Sequence, residues 1–251
     1  MSFDGKVVIV TGSARGLGRD YAEFFAREGA AVVVADKLTE QAAEVADQIN
    51  ASGRKAMSVP LDVTNLAQAR EMARRTVEKF GRIDGLINNA GIWGDLNMSP
   101  VLETDPAYWD LVMAVNVKGP LLCAQAVAPL MKQQKSGRIV NISSMGAYMR
   151  GGAYCVSKLA LNSVTWQLAG ELGPYNVTVN GIGPGAIWND ATQRQMQQSR
   201  ETFDQLIAMN CIKRPGTSSD IYAAMRFLMS DEAQWVTGQT ILVNGGFNVV
   251  L

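Results

Sequence analysis

Short apolar runs alternate with longer amphipathic stretches along the whole chain. The runs at 7–10, 31–35, 55–60, 83–87, 137–142, 177–182 and 240–243 are mostly rich in Val and Ile and show little alternation, as strands buried on both faces of a parallel sheet do. Between them, apolar positions recur at helical spacing: Leu66, Ala69, Met72, Ala73, Val77 and Phe80 share one face. The pattern predicts helices at about 17–28, 39–51, 65–80, 107–134, 154–172 and 219–229, the fourth kinked near Gly119-Pro120. Thr64 or Asn65 caps the third. Residues 190–210 are polar and glutamine-rich, with Met196, Phe203, Leu206 and Ile207 spaced among them, and read as a helical excursion from the core. No repeat or linker interrupts this order. Strand–helix alternation with right-handed crossovers predicts one α/β domain over 1–251, a doubly wound parallel sheet of seven strands flanked by helices.

The first strand runs into Thr11 and a glycine-rich turn, and the first helix begins near Leu17. Gly12, Gly16 and Gly18 permit positive φ and leave space where a backbone must approach a ligand. A helix N-terminus behind such a turn presents N–H groups and a positive dipole end to a pyrophosphate. The spacing is G-x-x-x-G-x-G, not the G-x-G-x-x-G of the common dinucleotide fingerprint. Asp36 closes the second strand about twenty residues on, where a ribose-binding acid belongs. Ligands of doubly wound sheets sit at the carboxyl ends of the strands. The residues there are Gly12 to Gly18, Asp36, Asp62-Val63, Asn88 to Gly91, Ser143-Ser144 and Pro184-Gly185.

Composition narrows the chemistry. The 251 residues include 23 Lys and Arg against 23 Asp and Glu, a formal net charge of zero. The basic residues are scattered, which gives no footprint for nucleic acid or an anionic membrane. No apolar run reaches spanning length, and MSFDGK leads almost at once into the first strand, with no room for a signal peptide. A cytoplasmic protein is expected. Cys123, Cys155 and Cys211 are odd in number and lack metal-ligand spacing, so free thiols in a reducing compartment and no metal are expected. The chain contains no histidine. That excludes a Ser-His-Asp hydrolase, a Cys-His protease and a histidine-ligated zinc site. An acid or base working near neutral pH must then be a carboxylate, lysine, cysteine or tyrosine with a moved pKa.

Tyr154 and Lys158 lie four apart on a predicted helix, so the ammonium sits near the phenol and favours its ionised form. With them come TGSARGLG at 11–18, Asp36, Asp62-Val63, NNAG at 88–91, Asn116 in NVKG, NISS at 141–144, YCVSK at 154–158 and PGAI at 184–187. In this order the motifs resemble the short-chain dehydrogenase/reductase family along essentially the whole chain. The resemblance implies a Rossmann fold in which about 1–150 binds the cofactor and about 151–215 carries the catalytic helix and a substrate lid. It implies Tyr154 as general acid/base, Lys158 lowering its pKa and holding the nicotinamide ribose, and Ser144 holding the substrate oxygen. Asn116 would kink its helix and, through its main-chain carbonyl, position a water behind Lys158. The cofactor-binding set it implies is Gly12, Arg15, Gly16, Leu17, Gly18, Asp36, Asp62, Val63, Asn89, Ala90, Gly91, Tyr154, Lys158, Pro184, Gly185 and Ile187. Within it Asp62 and Val63 flank the adenine, Asn89 buttresses the cofactor, and Ile187 anchors the carboxamide through its backbone.

Three departures from the family pattern stand out. The loop from Ser144 to Tyr154 is shorter than usual, and Ser144 is preferred to Ser143 because Ser143 should point the other way. Trp188-Asn189 occupy the place where a threonine often meets the carboxamide, so either Asn189 substitutes or the contact is lost. Asn244 stands where an aspartate is more common. Asp36 predicts NAD, since a carboxylate at the ribose repels a 2′-phosphate. The alternative is an NADPH-dependent 3-oxoacyl-(acyl carrier protein) reductase, favoured by Arg15 but not by the neutral segment 173–176. An inactive nucleotide-sensing scaffold would lack at least one of Asn116, Ser144, Tyr154 and Lys158, and all are present.

Trp93, Met145, Tyr148, Met149, Trp188, Phe203 and Met209 are candidate pocket residues. Together they predict a small-molecule substrate, a bulky hydrophobic or aryl-bearing secondary alcohol or its ketone. The helices at 107–134 and 154–172 carry more apolar surface than one sheet face covers, and the tail Val249-Val250-Leu251 is apolar. With the family resemblance, this predicts a homotetramer.

Overall fold

The computed structural model describes residues 2–92, 99–188 and 200–247. Its strands are β1 Val7–Thr11, β2 Ala31–Asp36, β3 Lys55–Pro60, β4 Gly85–Asn88, β5 Gly137–Ile142, β6 Val177–Pro184 and β7 Thr240–Val243. The α-helices are α1 Gly16–Arg27, α2 Thr39–Ala51, α3 Leu66–Phe80, α4 Pro106–Met113, α5 Gly119–Gln134, α6 Gly152–Leu172, α7 Arg200–Met209 and α8 Ser218–Leu228. The strands form one seven-stranded parallel sheet in the order β3-β2-β1-β4-β5-β6-β7. This is the doubly wound, Rossmann-like arrangement with helices on both faces.

The central runs of β1 and β2 are apolar because successive side chains enter opposite layers. Val8 and Val10 of β1 join Tyr21 and Phe25 of α1, Ile49 of α2 and Ile221 of α8. Val7 and Ile9 join Met72 of α3, Val127 and Met131 of α5 and Leu168 of α6 on the other side. The helical stretch Pro106–Gln134 is long and apolar enough to cross a membrane by composition. Cys123, Val127 and Met131 nevertheless bury in the second layer, so it is a core helix. From β1 the chain winds outward through β2 and β3, then returns to β4 on the other side of β1. That reversal opens a crevice at the carboxyl ends of β1 and β4, where the glycine turn lies.

Two elements differ from their sequence pattern for identifiable reasons. β4 begins at Gly85 although the apolar run begins at Ile83. The Gln134 side chain accepts the Ile83 N–H at 3.2 Å and donates to the Ile83 carbonyl at 2.8 Å, taking both groups a ladder would use. The irregularity of the long helix is a π-helical turn over Ala114–Lys118, just ahead of Gly119-Pro120. Pro120 has no N–H to return to the preceding turn, so regular bonding breaks there. Asn65, not Thr64, caps α3, accepting from Ala67 and Gln68 N–H.

A chain of buried side-chain bonds ties the middle strands to α6. Asn88 Nδ2 donates to Asn141 Oδ1, Asn141 Nδ2 to Thr165 Oγ1, and the Thr165 hydroxyl to the Leu161 carbonyl, each at 2.8 Å. Asn141→Ala would leave an amide and a hydroxyl short of a partner in the core, with an expected cost of about 1–3 kcal/mol. Urea unfolding should show a lower midpoint at an unchanged slope. An unchanged midpoint would mean that this chain of bonds contributes nothing to stability.

Candidate active site

The β1–α1 turn and the end of β4 press together. Gly12 has a φ of 65°, and a Cβ there would lie 2.7 Å from the Ala90 Cα. A Cβ at Gly18 would overlap the Gly12 carbonyl oxygen and the Asn89 amide. Thr11 Oγ1 accepts the N–H groups of Asn89 and Ala90 at 3.1 Å, and the Asn89 side chain donates to the Thr11 and Gly12 carbonyls at 3.0 Å. Arg15 is the extended N-cap of α1 and makes no side-chain cap bond. Leu17, in the first turn, is half-buried.

Asp36 is buried at the end of β2, and its carboxylate accepts the Ala14 N–H at 2.9 Å and the Leu38 N–H at 3.0 Å. These bonds fix the acid beside the turn. The Asp62 carboxylate accepts the hydroxyl and the N–H of Thr64, which hold it below the usual carboxylate range, with a smaller pull from the charge of Lys37. Val63 is buried next to it. The arrangement fits a dinucleotide: no space for a Cβ at Gly12 or Gly18, a helix start without a side-chain cap, and a rigid acceptor where a ribose would lie.

Beyond this cradle, side chains from the π turn, the β5 end and α6 converge. Asn116 is fully buried, accepts the Ile92 N–H through Oδ1 at 2.8 Å and donates to Ser157 Oγ at 3.1 Å. The Ser157 hydroxyl in turn donates to the Tyr154 carbonyl at 2.6 Å. Lys158 Nζ donates to the Ile142 carbonyl at 2.8 Å and lies 5.6 Å from the centre of the Tyr154 ring. A Cβ on Gly91 would sit 3.2 Å from Asn116 Oδ1 and 3.6 Å from Lys158 Nζ, so the NNAG segment reaches the same point. Ser143 is turned inward and donates to the Lys158 carbonyl at 3.3 Å. Ser144 Oγ accepts the Gly146 N–H at 2.9 Å and is hydrogen-bonded to the Tyr154 phenol.

Burial decides the ionisation of this cluster. It pushes the Tyr154 phenol well above its ordinary value, and the hydrogen bond with Ser144 draws it only part of the way back. The same desolvation pulls Lys158 down to about 8. The spacing places amine and phenol together, as the helix geometry demands, but burial outweighs their proximity and drives both toward the neutral form.

The pocket candidates are spread more widely. Met145 is buried, and Trp188 stacks on Phe203 with ring centres 5.3 Å apart. The Tyr148 hydroxyl accepts the Asn162 amide at 3.2 Å, Met149 is exposed, and Met209 is 63 % exposed. Gly185 N–H donates to the Val243 carbonyl at 3.0 Å, following Pro184 at the end of β6, and Ile187 is buried. Trp93, Asn189, Met196 and the tail 249–251 lie outside the described residues. Thr11 and Ser157 carry bonds that hold the site, yet neither has a spacing that singles it out. Their place inside TGSARGLG and YCVSK is the only signal the sequence offers.

Sheet, glycine cradle and the buried Tyr154–Lys158 pair fit a nucleotide-dependent oxidoreductase. A family model described as enoyl-(acyl carrier protein) reductase matches residues 12–248. An uncharacterized oxidoreductase of Mycobacterium tuberculosis is 42% identical over 244 residues, which is 97% of this chain and 98% of that protein. The 3-oxoacyl-[acyl-carrier-protein] reductase FabG of Thermotoga maritima is 36% identical over 249 residues, 98% of this chain and 99% of its own. The crystal structure of a gluconate 5-dehydrogenase from Burkholderia cenocepacia, in complex with NADP and tartrate, superposes with a TM-score of 0.91 at 31% identity, covering 98% of this chain and 96% of that one. The chain belongs to the short-chain dehydrogenase/reductase family.

The buried amine has a consequence for stability. Lys158 titrates at about 8 when folded and near ~10.4 when unfolded, so the unfolded chain binds more protons between those values. The contribution of this group to stability therefore rises with pH across that window and is lost as pH falls through the folded value. Lys158→Met removes the titration. Urea unfolding at about pH 7.5 and about pH 9.5 should show the variant losing ground to wild type at the higher pH. A pH-independent difference would show that the amine is not desolvated.

Proposed function

We propose that the chain is an NAD(H)-dependent oxidoreductase that interconverts a secondary alcohol and its ketone, with Tyr154 as general acid/base. The observation that carries this reading is the convergence of Ser144, Tyr154, Lys158 and Asn116 beside a cradle that fits a dinucleotide. When bound, the nicotinamide supplies or takes up the hydride. In reduction Tyr154 gives its phenolic proton to the substrate oxygen, and in oxidation it takes that proton back. Burial keeps the phenol protonated until the oxygen it faces becomes basic. Ser144 holds the substrate oxygen through its hydroxyl. Lys158 stabilises the phenolate left behind and holds the nicotinamide ribose, while Asn116, bonded through Ser157, secures the first turn of α6. Gly12 to Gly18 would seat the pyrophosphate, Asp62 and Val63 the adenine, and Pro184, Gly185 and Ile187 the carboxamide. In this reading about 1–150 holds the cofactor and about 151–215 carries the catalytic helix and lid.

Replacing the Tyr154 ring hydroxyl tests the mechanism. Tyr154→Phe should lose the ~10²–10⁴-fold typical of general acid–base catalysis while NADH binding survives. Substantial remaining turnover would overturn the assignment. The substrate class is approached with a panel of aryl and bulky aliphatic ketones, and the matching secondary alcohols, assayed with both cofactors. The apolar side chain of Met145, next to Ser144, supports an apolar substrate.

Asp36 supports NAD(H). Its two oxygens already take backbone donors and keep lone pairs for ribose hydroxyls, and a carboxylate there repels a phosphate. Arg15 and Lys37 are exposed beside it and favour the second reading, an NADPH-dependent 3-oxoacyl reductase. The FabG relative and the NADP bound to gluconate 5-dehydrogenase lean the same way. Wild type should turn over NADH faster than NADPH at matched concentrations, and Asp36→Asn should narrow the preference. Faster turnover with NADPH would reverse the cofactor assignment.

The outer side of α6 exposes Val156, Leu159 and Trp166, and Leu111 of α4 is exposed as well. These apolar positions support a homotetramer. Light scattering at micromolar concentration should report it, and a monomer there would refute it. Free thiols at Cys123, Cys155 and Cys211 support a cytoplasmic enzyme.

A further inference from the structure

The segment before α7 and the segment after it are joined at a neck. Gly216 N–H donates to the Ala186 carbonyl at 2.9 Å, and Trp188 N–H donates to the Gly216 carbonyl at 2.8 Å. Ile187 and Gly216 thereby form a parallel bridge. On its far side α7 is tied down by the turn after β7: Ile212 N–H donates to the Gly245 carbonyl at 2.9 Å, and Asn210 packs on Gly245. Between these ties α7 has one buried anchor among its described side chains. Phe203 is 2 % exposed, whereas Asp204, Gln205, Ala208 and Met209 face outward. The ring that meets Phe203 is Trp188, at 5.3 Å between centres and 52° between planes. Trp188 directly follows Ile187, the residue the family pattern puts on the carboxamide.

We propose that Trp188 is a positioning residue: its stacking on Phe203 sets the seat of α7, and through α7 the affinity for substrate. Neck and far tie hold the two flanks of α7, and among its described side chains Phe203 is the one fully buried between them. A tilted aromatic contact is directional and restricts the rotation of the helix. Trp188 is on the neck itself, so the register of α7 is set from the residue adjoining the cofactor site. That α7 covers the substrate rests on the oxidoreductase reading above.

The test uses the full chain with Trp188→Ala, Phe203→Ala, the double variant and Trp188→Phe. With NADH and the best ketone of the panel, each alanine variant should raise KM about tenfold while the Kd for NADH stays within about twofold. The double variant should be no worse than either single one, because both remove the same contact. Trp188→Phe should recover KM to within about threefold of wild type. Additive losses, a matching rise in NADH Kd, or no recovery by phenylalanine would overturn the proposal. Trypsin cleavage after the exposed Lys213, read by mass spectrometry without substrate, should speed up about tenfold in the alanine variants and not in Trp188→Phe. This second measurement needs no turnover. If wild type reduces no ketone, the functional reading fails and the stacking is judged on cleavage alone; unchanged cleavage overturns it.

Discussion

Everything at the carboxyl edge of the sheet depends on how closely the β1–α1 turn approaches the end of β4. Gly12 and Gly18 have no space for a Cβ, and the gap is closed from both sides by Thr11 and Asn89. Thr11 takes two N–H groups from the β4 side while Asn89 takes two carbonyls from the β1 side, so the buried backbone of both turns is satisfied reciprocally. The contact sets the width of the crevice at the switch point. It also brings the NNAG segment far enough forward for Gly91 to lie against Asn116 and Lys158. The glycine turn and the Asn116–Lys158 cluster, formed by residues far apart in the chain, therefore share one wall.

Polar groups in the core link folding to chemistry at a second level. The Asn88–Asn141–Thr165 bonds hold β4, β5 and α6 together, and Asn116–Ser157–Tyr154 bonds hold the π turn to the start of α6. In a low-dielectric interior such chains are stabilising only when complete, which restricts the positions their members can take. Tyr154 and Lys158 are placed by these bonds and desolvated by the same packing. The phenol is raised and the amine lowered for one reason, their shared burial.

The sheet was legible wherever an apolar run was bounded by breakers. β3, β5 and β7 and helix α2 match their pattern residue for residue. The start of β4 was not, because what displaces the ladder is Gln134, a side chain remote in sequence. The π turn was legible only as a disturbance near Pro120. In the candidate site, motif order brought the principal residues into view, while Ser157 and Thr11 act through bonds that no spacing announces. Trp188 and Phe203 read as two separate bulky residues, and nothing in their spacing announces the contact between their rings.

The loop between Ser144 and Tyr154 is held by local contacts at both of its ends. The chain turns at once into a 3-10 helix, Met145–Tyr148, with Ser144 as its N-cap. A Cβ at Gly146 would lie 3.2 Å from Ser144 Oγ and 3.4 Å from both Cys155 Sγ and Tyr154 Cε1, so the turn packs directly on the start of α6. Ser144 Oγ accepts the Gly146 N–H, which occupies the side of the oxygen facing the turn. The hydroxyl hydrogen is then directed away from the backbone, toward the phenol and whatever oxygen lies against it. A longer loop would have to hold that orientation by tertiary contacts. Here a single local cap does so, and the outer residues of the loop, Tyr148 and Met149, remain at the surface, where they can vary without disturbing the donor.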